Sequence, residues 1–446
     1  MSASLSSLFL VASPRFVVPA SWKHVSTPPL PTDALWQISH ALPLLLHLLI
    51  SSLYIASKVL LALAGNLFAA PRLRPSWVWS TSILQAFLRA AMETLPPQAR
   101  HSVAVVRMAT SVPIPAWFVN AHVVQARVKL PVSSRPFWRT LCKEIASGLE
   151  LDWTSFTLRQ TIPAEWIMHR SVAPVVPEDA TVTFFLHGGA HIFMNPGTHR
   201  TLTSEISRVT KGPVFALDYA LAPDAPFPAA IHEAVVAYCA LIGHPTTKAA
   251  SIGSSDSLTS IFKDHDAKQR IFRPNQIHVM GDSSGGALVV QFLLALKALD
   301  LPQPTSAVCM SPFVDIECKS DTFKTNWPTD FMALDQQGMR WAMSAYTGQN
   351  IPYSHPLVSP INHSDFSGLC RILIQVGDAE VLFEDSKGLY EAMLQTASAN
   401  VKLQIWKDMF HVFQVFSFLE PSRAAVEEIG SFVHQTPSTK DERFFQ

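Results

Sequence analysis

Clustered charge is what this 446-residue chain lacks. Asp, Glu, Lys and Arg make up 15% of it, and 34 basic residues balance 34 acidic ones with no run of either sign. A chain without a basic face has nothing to gather phosphates, so nucleic acid is excluded as a partner. The five cysteines are odd in number and scattered, with no C-x-x-C, which excludes a disulfide framework and a zinc ribbon. They read as small buried apolar residues. Seventeen histidines contain no H-E-x-x-H, so no metal site is expected. No internal repeat is present either.

What the chain has is apolar bulk. At 48% hydrophobic residues it can bury a large core, which predicts one big domain with extensions. After a tail at 1–33, residues 34–57 hold no charge ("ALWQISHALPLLLHLLISSLYIAS"), and past Lys58 the apolar run resumes to Ala70. About 20 apolar residues span a bilayer, so 34–70 is expected to be a single membrane anchor, placing the protein at a membrane such as the endoplasmic reticulum. The other reading is a pair of soluble helices on a cytoplasmic protein. A cleaved signal peptide fits poorly, because the run starts some thirty residues in and exceeds the usual ~7–15 residue apolar core.

Residues 71–164 mix Pro, Trp and short apolar runs and are expected to form a cap or extension. From Glu165 to about residue 435, short β-rich runs alternate with amphipathic stretches of helical length, the pattern of a mostly parallel α/β sheet. Strands are expected at 165–171, 181–188, 213–219, 276–282, 306–312, 371–377 and 401–406. Helices are expected at 201–209, 229–242, 286–299, 382–394 and 424–433. The polar stretch 244–270 reads as a loop insertion, and 436–446 as a C-terminal tail.

One turn in that pattern carries chemistry. "QIHVM" leads into "GDSSGGALVVQFLLALKAL", so Gly281-Asp282-Ser283-Ser284-Gly285 sits between strand and helix. G-x-S-x-G at such a turn is a nucleophile elbow: small residues two before and two after the serine let strand and helix approach, and the serine takes a strained conformation. That selects Ser283 and places it at a helix N-terminus, where developing negative charge is favoured. About a hundred residues upstream, a strand ends in His187-Gly188-Gly189-Ala190. Gly188 and Gly189 are expected to lend backbone N–H groups to an oxyanion hole with Ser284, and His187 to brace the loop. Downstream, "RILIQVGDAEVLFED" offers Asp378 and Glu380, and His411 follows the last strand. The order nucleophile, acid, histidine is that of an α/β-hydrolase fold.

The motifs "HGGA", "YALAPD", "GDSSGG", "EVLFED" and "HVF" together resemble the hormone-sensitive-lipase-like family of α/β-hydrolases over about residues 165–435. The N-terminal apolar segment resembles the layout of fungal membrane-anchored steryl deacetylases within it. The resemblance implies a serine carboxylic-ester hydrolase without a cofactor. It places Glu380, not Asp378, at the triad acid, and leaves Asp282 and Asp378 in supporting positions. Three departures stand out: Ala190 replaces a third glycine, and Ala220 and Asp224 replace an Arg and a Glu, losing a family salt bridge. Phe193, Met194, Phe313, Trp327, Phe331 and Met332 are candidates for an apolar pocket. The implied substrate is a short-acyl ester, acetyl above all, of a hydrophobic alcohol such as a sterol or terpenoid. An acyltransferase would use the same triad, and a non-catalytic small-molecule binder on this fold is expected to lack one of its members.

Overall fold

In a computed structural model the short apolar runs become strands of one ten-stranded sheet. The structure describes residues 52–62, 77, 79–93, 103, 107, 110–129, 159–175, 181–244, 251–254, 261–262, 271–332, 336–348, 351–396, 399–435 and 441–445. The strands are β1 (Ala121–Lys129), β2 (Thr161–His169), β3 (Val182–Leu186), β4 (Val214–Leu217), β5 (Ser251–Ser254), β6 (Ile277–Asp282), β7 (Ser306–Met310), β8 (Arg371–Gly377), β9 (Val401–Trp406) and β10 (Asp441–Phe445). Across the sheet they lie in the order β10-β9-β8-β7-β6-β3-β4-β2-β1-β5. From β10 to β4 neighbours run parallel. Three antiparallel pairings add β2, β1 and β5 at the other edge.

Among the described residues after 62, the helices longer than a single turn are α1 (Trp79–Glu93), α2 (Arg200–Thr210), α3 (Ala229–Leu241), α4 (Ser284–Ala298), α5 (Gln336–Thr347), α6 (Phe383–Leu394) and α7 (Glu420–His434). They cover both faces because the central strands are apolar on both. Successive side chains point to opposite faces. In β3, Val182, Phe184 and Leu186 enter the larger core, while Phe185 enters the core beneath α2 and α7. In β7, Ala307 and Cys309 go one way, Val308 and Met310 the other. Helix α3 is buried along its whole length, and α4 from Ser284 to Leu296, as their nearly unbroken apolar sequences require. A buried Phe or Leu contributes roughly 1.5–3 kcal/mol, so this double core holds the parallel strand ends in fixed register.

All seven expected strands and all five expected helices are present within a few residues. The sheet nevertheless outruns the 165–435 boundary. β1 and the start of β2 come from the stretch read as a cap, and residues 441–445, read as a tail, form edge strand β10. The stretch 244–270 is not all loop: 251–254 pair with β1, and Ile261 and Phe262 are fully buried, Phe262 edge-on to Trp166. The chain divides into residues 1–54 and 55–446, and the sheet with its seven helices belongs to the second. Residues 52–62 are helical; the rest of the apolar run 34–70, and most of the expected anchor with it, lies outside the described residues. Among the described residues no helix is long and apolar enough to cross a membrane.

Candidate active site

Ser283 stands between β6 and α4 with φ 52° and ψ −123°, a conformation that non-glycine residues seldom adopt. The small residues around it are demanded by contact. A Cβ on Gly281 would sit 2.4 Å from the Gly285 carbonyl oxygen, and one on Gly285 would sit 2.1 Å from that of Leu186. The turn is pinned from outside as well: Ser283 N–H donates to Met310 O at 2.9 Å, and Phe313 N–H to Ser283 O at 3.0 Å.

His411, after β9, brings Nε2 to 3.0 Å from Ser283 Oγ. Its Nδ1 lies 3.5 Å from Glu380 Oε1, an ion-pair distance longer than a hydrogen bond. Glu380 is fully buried, and its other oxygen accepts from Ser311 Oγ at 2.8 Å and Gly377 N at 3.0 Å. Burial pushes its carboxyl up, and His411 and Ser311 pull back without cancelling that rise. For His411 burial pushes the pKa down, and Glu380, with smaller help from Asp330 and Asp282, more than reverses it, leaving the imidazole above its ordinary value. Asp378 faces elsewhere: its Oδ1 accepts the Asp408 N–H at 2.5 Å.

The glycine loop corrects one expectation. Gly188 has no free N–H to offer, because it donates to Asp282 Oδ1 at 3.0 Å. Three residues on, His191 N–H donates to Ser284 Oγ at 3.1 Å. The loop is thus tied at both ends to the residues flanking Ser283. Among the described residues the backbone N–H groups of Gly189, Ala190 and Ser284 have no hydrogen-bond partner. Ala190, a departure in sequence, takes a left-handed backbone at φ 54°. A Cβ on Gly188 would fall 2.3 Å from Asp282 Oδ2, and Gly189 has φ +116°, so both positions require glycine.

Asp282 holds this loop as a charged group. Burial pushes its carboxyl up, but His199, 3.3 Å away, draws it below the ordinary range. His199 moves the opposite way: burial lowers it, and Asp282 more than restores it. His187 packs at the start of this loop. Its Nδ1 and the Gly188 carbonyl oxygen are 2.7 Å apart, its ring stacks on Tyr219 at 4.3 Å, and the Tyr219 hydroxyl donates to His187 O at 2.6 Å. Burial depresses its pKa to about 3, so the ring is neutral and is no base.

Several contributors were not legible in sequence. Ser311 links the acid to the histidine loop, since its Oγ also accepts the Val412 N–H at 3.1 Å. Asn326 Nδ2 donates to the Asp378 and Glu380 carbonyls at 3.0 and 2.9 Å. Thr329 Oγ1 donates to the Ala379 carbonyl at 2.7 Å. Asp224, which lost its family partner, pairs with Arg107, and Arg107 also reaches Ile192 O at 2.7 Å and Ala222 O at 2.6 Å. Of the apolar candidates, Phe193 and Phe313 are buried in the main core, and Met194, Trp327 and Met332 pack half-buried against it. Phe331 instead packs on Phe410 and Phe416.

A parallel sheet with a strained serine, a glycine loop, a carboxylate and a histidine at its carboxyl edge defines an α/β-hydrolase. A family model described as alpha/beta hydrolase fold matches residues 183–415, and the chain belongs to that family, in its hormone-sensitive-lipase-like branch of carboxylic-ester hydrolases. An acetyl-hydrolase of Streptomyces hygroscopicus is 33% identical over 273 residues, covering 60% of this chain and 79% of its own. An esterase of Acinetobacter venetianus is 29% identical, covering 56% and 73%. Among solved structures, the esterase EstE5 soaked with p-nitrophenyl butyrate superposes with a TM-score of 0.58 at 27% identity, covering 79% of this chain and 97% of its own. An esterase from the bacterial hormone-sensitive lipase family does so with a TM-score of 0.51 at 28% identity, covering 69% and 99%.

Proposed function

We propose that Ser283, His411 and Glu380 hydrolyse a short-acyl ester, acetyl in the first instance, of a hydrophobic alcohol of the sterol or terpenoid kind. The observation that carries this reading is the 3.0 Å approach of His411 Nε2 to Ser283 Oγ at the strained elbow. His411 takes the serine proton as Oγ attacks the ester carbonyl. The oxyanion forms against the N–H groups of Gly189, Ala190 and Ser284. His411 then returns the proton to the departing alcohol, and water, activated the same way, releases the acid from the acyl-enzyme. Glu380 holds the imidazole in the tautomer that leaves Nε2 free to accept, and stabilises its charged form. A shortening of the 3.5 Å Glu380–His411 distance on substrate binding completes the chain, as such contacts commonly tighten in the reacting complex.

The acetyl preference draws on the acetyl-hydrolase relative, and the hydrophobic alcohol on the apolar run at 34–70, which we propose brings the enzyme to lipid. The test is turnover of p-nitrophenyl esters from acetyl to dodecanoyl by the purified chain and by Ser283→Ala. Highest turnover on acetyl or butyryl, abolished by the substitution, is the expected outcome. A wild-type chain inert toward every ester, with Ser283 unreactive to a fluorophosphonate, overturns the reading. Centrifugation of the detergent-free lysate checks the lipid half, which fails if the full chain stays wholly in the supernatant.

A further inference from the structure

We propose that Asp330 is a positioning residue for the histidine, its buried carboxylate fastening the His411 loop to the acid turn and adding a second negative charge beside the base. This rests on the reading of Ser283 and His411 given above. Asp330 lies in the segment between β7 and α5, far in sequence from both loops. Its side chain makes three bonds, all of them accepted: Oδ1 from His411 N at 3.2 Å and Phe331 N at 2.7 Å, Oδ2 from Val381 N at 2.8 Å. One carboxylate therefore touches the amide of the base and the amide next to the acid.

Three accepted N–H bonds on a side chain that is 1% exposed are the arrangement an ionised carboxylate makes. Burial pushes the Asp330 carboxyl up, and His411 and the three amides pull back without cancelling that rise, so the case for its charge is the geometry of three accepted N–H bonds. Asn326 and Thr329 hold the same segment to the acid turn. From the far side, α1 holds it through Gln85 Nε2 to Pro328 O at 3.2 Å and Arg89 Nη1 to Trp327 O at 2.5 Å. A plain loop staple needs none of this charge, and an asparagine cannot replace it without turning an NH₂ toward one of three N–H donors.

The charged groups that act on His411 are Glu380 from the acid turn, Asp330 from this segment and Asp282 from the elbow. Asp330→Asn removes one charge and one of the accepted bonds while keeping the side chain's size, and the titration of His411 reads the charge. NMR titration of His411, assigned by comparison with His411→Asn, is expected to show its pKa lowered by about one pH unit. The acid limb of kcat/KM should move down with it, and kcat should fall roughly 10–100-fold as the base loses its placement. An unshifted titration and acid limb, with only a lower Tm, overturn the proposal in favour of a structural staple. Should the Asn variant fail to fold, Thr329→Ala loosens the same segment with every charge in place. A kcat lowered several-fold with an unmoved acid limb then supports positioning, and an unchanged kcat overturns it. The titration needs no turnover, so a shift in a chain that cleaves no ester keeps the positioning and discards the hydrolase reading. Ester turnover with an unshifted titration does the reverse.

Discussion

One methylene separates Glu380 from the aspartate that the family motif carries at the same place, and two residues separate it from Asp378, a rival in sequence. Geometry distinguishes them, because Asp378 caps the Asp408 amide while Glu380 faces His411. Glu380→Gln is therefore expected to lower kcat by about 10⁴, the order seen when a triad acid becomes an amide, and Asp378→Asn to leave kcat within a few-fold. Steady-state kinetics on p-nitrophenyl acetate checks both, and the reverse ranking overturns the assignment. The base must be neutral to act, and its pKa lies above the ordinary histidine value. Wild-type kcat/KM should thus climb through an acid limb above about pH 6.5, and loss of Glu380 should move that limb down. The serine, the acid and the histidine were legible because each follows a strand in a fixed order. The occupied N–H of Gly188 was not, because its partner is Asp282, 94 residues away.

At the scale of elements, strands buried on both faces announced themselves as apolar runs, and those at the edges did not. β1 alternates buried Val124, Ala126 and Val128 with exposed Gln125, Arg127 and Lys129, a period of two over a few residues beside proline-rich sequence. β5 and β10 are four and five residues long, too short for any periodicity to register. Helix α1 was missed for a different reason: its value lies in what it touches. Trp77, just before it, is 1% exposed and donates Nε1–H to Asp408 O at 2.5 Å, while Arg89 lies 5.7 Å over the Trp327 ring. Together they hold the histidine loop and the segment of Trp327 and Asp330 from outside. Trp77→Ala should cost about 3–5 kcal/mol of stability, and Arg89→Ala about 1–2 kcal/mol. Denaturant midpoints measure both, and kcat on p-nitrophenyl acetate should fall in each variant at temperatures where the fold is intact. An unchanged kcat would make α1 mere cover.

Across the molecule the fold stores four of the described histidines in their neutral form. His187, His191, His232 and His278 are buried, and burial above all depresses each pKa to about 3. In the unfolded chain the same groups titrate near 6.5, so below that pH the unfolded state binds protons that the folded state refuses, and stability drops as pH falls. Between pH 6.5 and 5 each histidine should cost about 2 kcal/mol. Groups whose pKa the fold raises act with the opposite sign, Glu380, Asp330, His199 and His411 among them. Asp385 is raised to about 8 and Asp218 to about 6, chiefly by burial, so over the same range the folded state holds protons that the unfolded state has released. Asp385 and Asp218 alone offset about half of the loss from the four histidines. Calorimetric Tm followed from pH 6.5 to 5 in the wild type and in single-histidine variants reads each histidine's share. His232→Leu, inside the wholly buried α3, should flatten the dependence by about one proton, and a pH slope identical to that of the wild type would show that His232 takes up its proton in the folded state after all.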